Sequence, residues 1–147
     1  MRVSDVMTRN VACCSPETSL LEVARLMVDH DCGEIPVVDA AGAPIGVVTD
    51  RDITCRTVAE GKNALLLVAR DCMSTPCVTV TPEMSLEQCC QVMEAHRVRR
   101  VPVVDAAGEC CGIVAQADLA RRGPRTEAAQ VVKRVSERNL PAPIYGR

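Results

Sequence analysis

Aromatic side chains are almost missing from this chain: no Trp, no Phe and one Tyr, at position 145, in 147 residues. A protein that holds single-stranded nucleic acid by base stacking needs aromatic platforms, so that class is excluded. An excess of positive charge is missing too. Seventeen Lys and Arg stand against nineteen Asp and Glu, for a net charge of −2 and a pI near 5.7. That balance supplies neither a basic stripe for nucleic acid nor a polybasic membrane patch. No apolar run approaches the 18 or so residues of a membrane span, and "MRVSDVMTRN" has no apolar signal core behind its arginine. The expectation is a cytoplasmic protein that contacts neither nucleic acid nor membrane. The ten cysteines contain no C-x-x-C, and six of them form adjacent pairs (Cys13–Cys14, Cys89–Cys90, Cys110–Cys111). Neighbours on a strand point to opposite faces and chelate one metal poorly. The cysteines therefore read as small buried hydrophobes of a reducing compartment, and no metal site is expected.

What is present is one unit written twice. With an offset of 66 positions and no gap, Asp5 aligns with Asp71, Pro16–Glu17 with Pro82–Glu83, Met27 with Met93, His30 with His96 and Asp52 with Asp118. "PVVDAAG" occurs at 36–42 and again at 102–108. Each copy starts with a short β run, "VACC" or "CVTV". A helix follows, opened by Ser19 with Glu22 or by Ser85 with Gln88, the spacing of a capping box. Its apolar positions, Leu20, Val23, Ala24 and Met27 or Leu86, Cys89, Cys90 and Met93, fall on one face. His30 and His96 read as helix-end residues. "IPVVD" and "VPVVD" predict strands, "AAG" the turn, "IGVVT" and "CGIVA" the returning strands, and a second helix starts near Arg51 or Ala117. The fold class expected is α+β: a duplicated β-α-β-β-α unit with pseudo-two-fold symmetry, its sheets packed face to face over a shared core. The division is 1–60 for the first repeat, 61–70 for a connector, 71–122 for the second repeat, and 123–147 for an accessory helix with a frayed tail, "PAPIYGR".

These residues carry a family resemblance. "DVMT…SPETSLLEVARLM…GEIPVVDAAGAPIGVVTDRDI" and "DCMS…TPEMSLEQCCQVMEAHRVRRVPVVDAAGECCGIVAQADL" resemble a tandem pair of CBS domains over about residues 4–122. The resemblance implies a sensor module that binds an adenosine-type ligand (AMP, ADP, ATP or NAD) between the copies, forms a homodimer and passes its state to a regulated protein. It implies no enzyme, and no nucleophile with a base or pair of catalytic carboxylates is legible.

The family's clamp is a glycine, two apolar residues, Thr or Ser, and Asp three positions on; here Thr49 to Asp52, with Asp50 and Arg51 between. The Thr hydroxyl and the free N–H groups of the helix start would take a phosphate, and the aspartate would accept from both ribose hydroxyls. A helix cap alone also accounts for Thr49 and Asp52. Copy two has Ala115 in place of Thr49 and keeps Asp118. It adds a basic pair, Arg99 and Arg100, which the resemblance aims across the cleft at a phosphate held by copy one. A solvated basic patch is the plainer reading of those arginines. For the adenine ring the family pattern implies aliphatic slots: Val11, Ala12 and Ile35–Pro36 in copy one, Cys77, Val78 and Val101–Pro102 in copy two; Glu34, beside Ile35, is counted with the ligand-binding residues. Two other classes compete with the sensor: an interaction scaffold with empty, degenerate clefts, and a cysteine-based redox or metal protein.

Overall fold

The computed structural model of the protein describes residues 1–137. In chain order the elements are α1 (Val3–Val6), β1 (Thr8–Arg9), α2 (Leu20–Asp29), β2 (Glu34–Val38), β3 (Pro44–Thr49) and α3 (Asp50–Arg56). Three 3₁₀ turns follow, and then α4 (Leu86–His96), β4 (Arg100–Val104), β5 (Cys110–Ala115), α5 (Gln116–Arg122) and α6 (Arg125–Val135). The result is an α+β fold built twice, with β2–β3 as one antiparallel sheet and β1–β5–β4 as the other. The tail from 138 onwards, which includes "PAPIYGR", lies outside the described residues.

Ser19 and Ser85 do cap α2 and α4, accepting from Glu22 N at 3.2 Å and Gln88 N at 3.1 Å. Only Gln88 returns the bond, to Ser85 N. All four apolar positions of α4 (Leu86, Cys89, Cys90 and Met93) are buried, whereas α2 buries Leu20 and Val23 and leaves Met27 half-buried. His30 terminates α2 and His96 is the last residue of α4.

The opening β runs are shorter than expected. "VACC" and "CVTV" form only isolated parallel bridges, Cys14 with Val37 and Val80 with Val103. Cys14 N donates to Pro36 O at 3.0 Å, and Val38 N donates to Cys14 O at 2.8 Å. The next rung would need an N–H on Pro36, and proline has none. Pro102 stops the second copy in the same way, beside Val80 N→Pro102 O at 3.0 Å.

The two leaders are exchanged. β1, at the start of the chain, pairs with β5 of the second copy (Thr8 opposite Ile113), while Ser74, which matches Thr8 in the repeat, pairs with Val47 of the first. Val3 N donates to Met84 O at 3.0 Å, and its repeat equivalent Ala69 N donates to Thr18 O at 2.8 Å. The repeated glycines seat these leaders. A Cβ on Gly46 would lie 2.8 Å from Ser74 O, and one on Gly112 would lie 2.9 Å from Met7 Sδ and 3.0 Å from Thr8 O. Gly46→Ala and Gly112→Ala should each destabilise the chain by roughly 1–3 kcal/mol, as overpacking does. Thermal denaturation that matched wild type would show that the leaders can shift freely.

Among the described residues the buried side chains form two clusters and not the one shared core that the duplication suggested. Cys14, Leu20, Val23, Ile35, Val37, Val48, Ala69 and Cys72 make the first. The second is larger, built on Val3, Val6, Met7, Leu86, Met93, Val101, Val114 and Leu119, because α6 adds Ala128, Val131 and Val135 to it. Without such a cover, the first copy's side of the molecule leaves Val28, Val58, Leu65 and Leu66 exposed.

Candidate functional site

The turn from β3 into α3 is closed by reciprocal hydrogen bonds. Asp52 N donates to Thr49 Oγ1 at 3.0 Å and Thr49 N donates to Asp52 Oδ2 at 3.0 Å. Arg51 N donates to Asp50 Oδ1 at 2.8 Å, and Asp50 N to Gly33 O at 3.1 Å. The N–H groups expected to be free for a phosphate are therefore occupied, and the capping reading describes this state of the turn. Asp52 also accepts from Ser74 Oγ at 3.2 Å, with Arg56 Nε 3.8 Å away.

In copy two, Asp118 Oδ2 accepts from Ala115 N at 2.8 Å, while Oδ1 accepts from Thr8 Oγ1 at 3.4 Å and Arg121 Nη2 at 3.1 Å. Ala115 offers no side-chain cap. Asp118 is only 3% exposed. Thr8 and Ser74 were not singled out in the sequence, although both are hydroxyls at equivalent repeat positions. The exchange of leaders, which no local pattern encodes, brings each to its aspartate.

Arg100 crosses between the copies. A Cβ placed on Gly33 would lie 3.3 Å from Arg100 Nη2 and 3.0 Å from Asp50 Oδ2, so the guanidinium sits beside the start of α3. Arg99 is exposed, and so are Asp50 and Arg51. Glu34 opens β2 directly opposite Thr49 in the ladder. It is 7% exposed, and its Oε2 has no hydrogen-bond partner. Burial pushes its carboxyl up to about 7, opposed by Arg100 and assisted by the Asp52 carboxylate. Glu34 and Arg100 are equivalent positions of the repeat, so the duplication sets an acid and a base face to face.

The residues expected to line the adenine slots differ in exposure. Ile35, Pro36, Val101 and Pro102 are buried, while Val11, Ala12, Cys77 and Val78 are half-buried. Ala12 packs on the first core and Val78 on the second. A depression of about 410 Å³ lies elsewhere, lined by Ser19, Leu21, Glu22, Arg25, Leu26 and Asp29 of α2 and its cap. None of the expected site residues borders it. Where the copies meet, Cys110 N donates to Gly42 O at 3.0 Å, and the Cys13 and Cys110 thiols donate to Val11 O and Gly112 O, each at 3.7 Å. The neighbouring Cys110 thiol pulls Cys13 down, while Cys13 and burial push Cys110 up. Burial raises Cys14, Cys72 and Cys90 to about 11, and Cys77 and Cys89 to about 12. Those five thiols are protonated at neutral pH and are poor nucleophiles. Among the described residues no three His, Cys, Asp or Glu side chains are grouped to hold a metal ion, and no helix is long and apolar enough to cross a membrane.

A duplicated α+β unit with exchanged leaders and an inter-repeat acid–arginine pair defines a tandem-repeat module, each half built around its own small sheet. The chain belongs to the CBS domain family, whose model matches residues 3–56 and 69–125. It is 42% identical over 139 residues to the CBS domain-containing protein YhcV of Bacillus subtilis, covering 94% of this chain and 97% of that one. Hypoxic response protein 1 of Mycobacterium tuberculosis is 33% identical over 131 residues, 89% of this chain and 91% of its own. A crystal structure of Hypoxic Response Protein I with two coordinated zinc ions superposes with a TM-score of 0.76 at 32% identity, covering 84% of this chain and all of that one. The CBS domain pair of protein MJ0100, in complex with 5-methylthioadenosine and S-adenosyl-L-methionine, shares the fold, with a TM-score of 0.74 at 24% identity over 82% of this chain and 94% of that one.

Proposed function

We propose that this CBS pair is a regulatory sensor, not an enzyme, that takes an adenosine-type ligand between its repeats and passes ligand state to a partner protein. The observation that carries the reading is Arg100, projected from copy two to the Thr49–Asp52 turn of copy one. A cation placed there suits the phosphate of AMP, ADP, ATP or NAD, and the aliphatic residues at Val11–Ala12 and Ile35–Pro36 suit a purine face. The ligands held by the MJ0100 pair support an adenosine-type ligand. The scaffold reading has its own support, since the α3 N–H groups and Asp52 are already satisfied internally. A homodimer accompanies the sensor reading, because the exposed aliphatic residues of the first copy call for cover.

Native mass spectrometry of the purified protein tests both points: two chains of 15.8 kDa with bound nucleotide are expected, and a bare monomer would favour neither. Calorimetry separates the arginines. Arg100→Ala should weaken AMP and ATP on the order of ten- to a hundredfold, the loss of a charge-assisted hydrogen bond. Adenosine should change little, and Arg99→Ala should cost less than Arg100→Ala because Arg99 is exposed. An equal loss for adenosine and AMP would remove the phosphate role.

A further inference from the structure

Glu34 combines deep burial with an unmet hydrogen bond, a combination that the two motif aspartates do not share. Asp52 and Asp118 have both carboxylate oxygens engaged by the protein, whereas Glu34 Oε2 has no partner. Its charged and titratable surroundings come from several elements. Arg100 approaches from β4, Asp52 from α3, Cys110 from β5, Cys77 from the segment before Val80, and Cys32 from the turn before β2; Asp50 lies beside the Arg100 guanidinium. The thiols are held protonated by burial, Cys110 also by the neighbouring Cys13, so Arg100 is the cation in this group. It faces Glu34 without forming an ion pair within 4.0 Å among the described residues.

We propose that Glu34 selects the charge of the bound ligand by competing for Arg100. When neutral it leaves the guanidinium to an anionic phosphate; when ionised it offsets that charge and turns the cleft toward a neutral or cationic adenosine-type ligand. This rests on the reading of the cleft as an adenosine-type site. Binding of a phosphate then draws a proton onto Glu34, and by linkage protonation strengthens phosphate binding by the same factor. The carboxyl changes charge around neutral pH because burial holds it near 7. An exposed glutamate, ionised from about 4.3 upward, would not respond in that range.

The test is calorimetric titration of the whole chain and of Glu34→Gln with adenosine and AMP, at pH 6 and pH 8, in two buffers of different ionisation enthalpy. In the wild type the ratio of AMP to adenosine affinity should fall about fivefold more between pH 6 and pH 8 than it does in Glu34→Gln. Over that interval about fivefold corresponds to a coupling of one pKa unit on a carboxyl held near 7. The AMP phosphate itself titrates near 6, but it does so equally against both proteins and cancels. At pH 7 AMP binding to wild type should take up a fraction of a proton beyond that seen with the variant, and adenosine binding should take up none. Proton uptake is read on the wild type and does not depend on the variant's stability. If both ligands bind with the same pH profile and proton count in the two proteins, Glu34 is not the selector, while the cleft stands. If neither adenosine nor AMP binds either protein, the cleft reading falls and this proposal falls with it.

Discussion

Asp118→Ala should lower the stability of the chain by about 3 kcal/mol, and Asp52→Ala by only about 1–2 kcal/mol. Both aspartates hold the first turn of a short helix, but Asp118 is 3% exposed, and it ties β1 of the leader to α5 through Thr8 and Ala115 as well as taking Arg121. Removing it leaves the half-buried Ala115 N–H without its acceptor and frees the exposed Thr8 hydroxyl, and a hydrogen bond to a charged group contributes about 1.5–3 kcal/mol. Arg121 is 70% exposed, so its share is small. Asp52 has a side chain 14% exposed, and its deletion breaks a capping box that water can partly replace. Urea unfolding monitored by circular dichroism reads the difference as a shift in midpoint. In titrations with AMP the order should reverse, Asp52→Ala losing on the order of ten- to a hundredfold and Asp118→Ala less. Equal destabilisation of the two variants would mean that the burial of Asp118 has no energetic consequence, and unchanged AMP binding by Asp52→Ala would leave Asp52 as a helix cap and nothing more.

Glu34→Gln should stabilise the chain at pH 8 by about 3 kcal/mol and leave it nearly unchanged at pH 4. The carboxyl is held at about 7 in the fold against an ordinary 4.5. The folded state therefore binds this proton more tightly than the unfolded chain does. Its contribution is complete below about 4.5, declines as the unfolded chain ionises, and is exhausted once pH passes 7. The interval corresponds to about 3 kcal/mol at 1.36 kcal/mol per tenfold. A glutamine is neutral throughout and escapes the loss. Thermal midpoints of the two proteins followed from pH 4 to pH 8 should coincide at the acid end and diverge toward the alkaline end. Parallel curves would show that Glu34 ionises in the fold as freely as it does in the unfolded chain.

Most of the architecture was legible because the repeat is gapless. Apolar spacing at Leu86, Cys89, Cys90 and Met93 located α4, and the serine caps located the starts of α2 and α4. "VACC" and "CVTV" misled because β-favouring composition says nothing about the partner strand, where Pro36 and Pro102 withhold a donor. The exchange of leaders was illegible for a different reason: a strict repeat is compatible with a leader packing on its own copy or on the other. At the candidate site the motif named the residues, but not their internal bonds. Whether Thr49 faces a ligand or caps Asp52 N is a matter of an ångström or two, and the string "TDRD" is the same in both cases. Glu34 stood out in the sequence only as a neighbour of the slot; its unmet oxygen and its confrontation with Arg100 come from packing two repeats.

The exchanged leaders also set an order of events during synthesis. β1 leaves the ribosome about a hundred residues before its seat on β5, around Gly112 and Ile113, has been made. The sheet of the first copy likewise lacks its flanking segment until Ser74 has emerged. Residues 1–9 must therefore wait, unpaired, while the rest of the chain is made, and neither half can close on itself as a finished unit. A domain assembled N-terminus first would release its halves one after the other; this one has to complete both together, with Val3, Val6 and Met7 exposed until the second core exists to receive them.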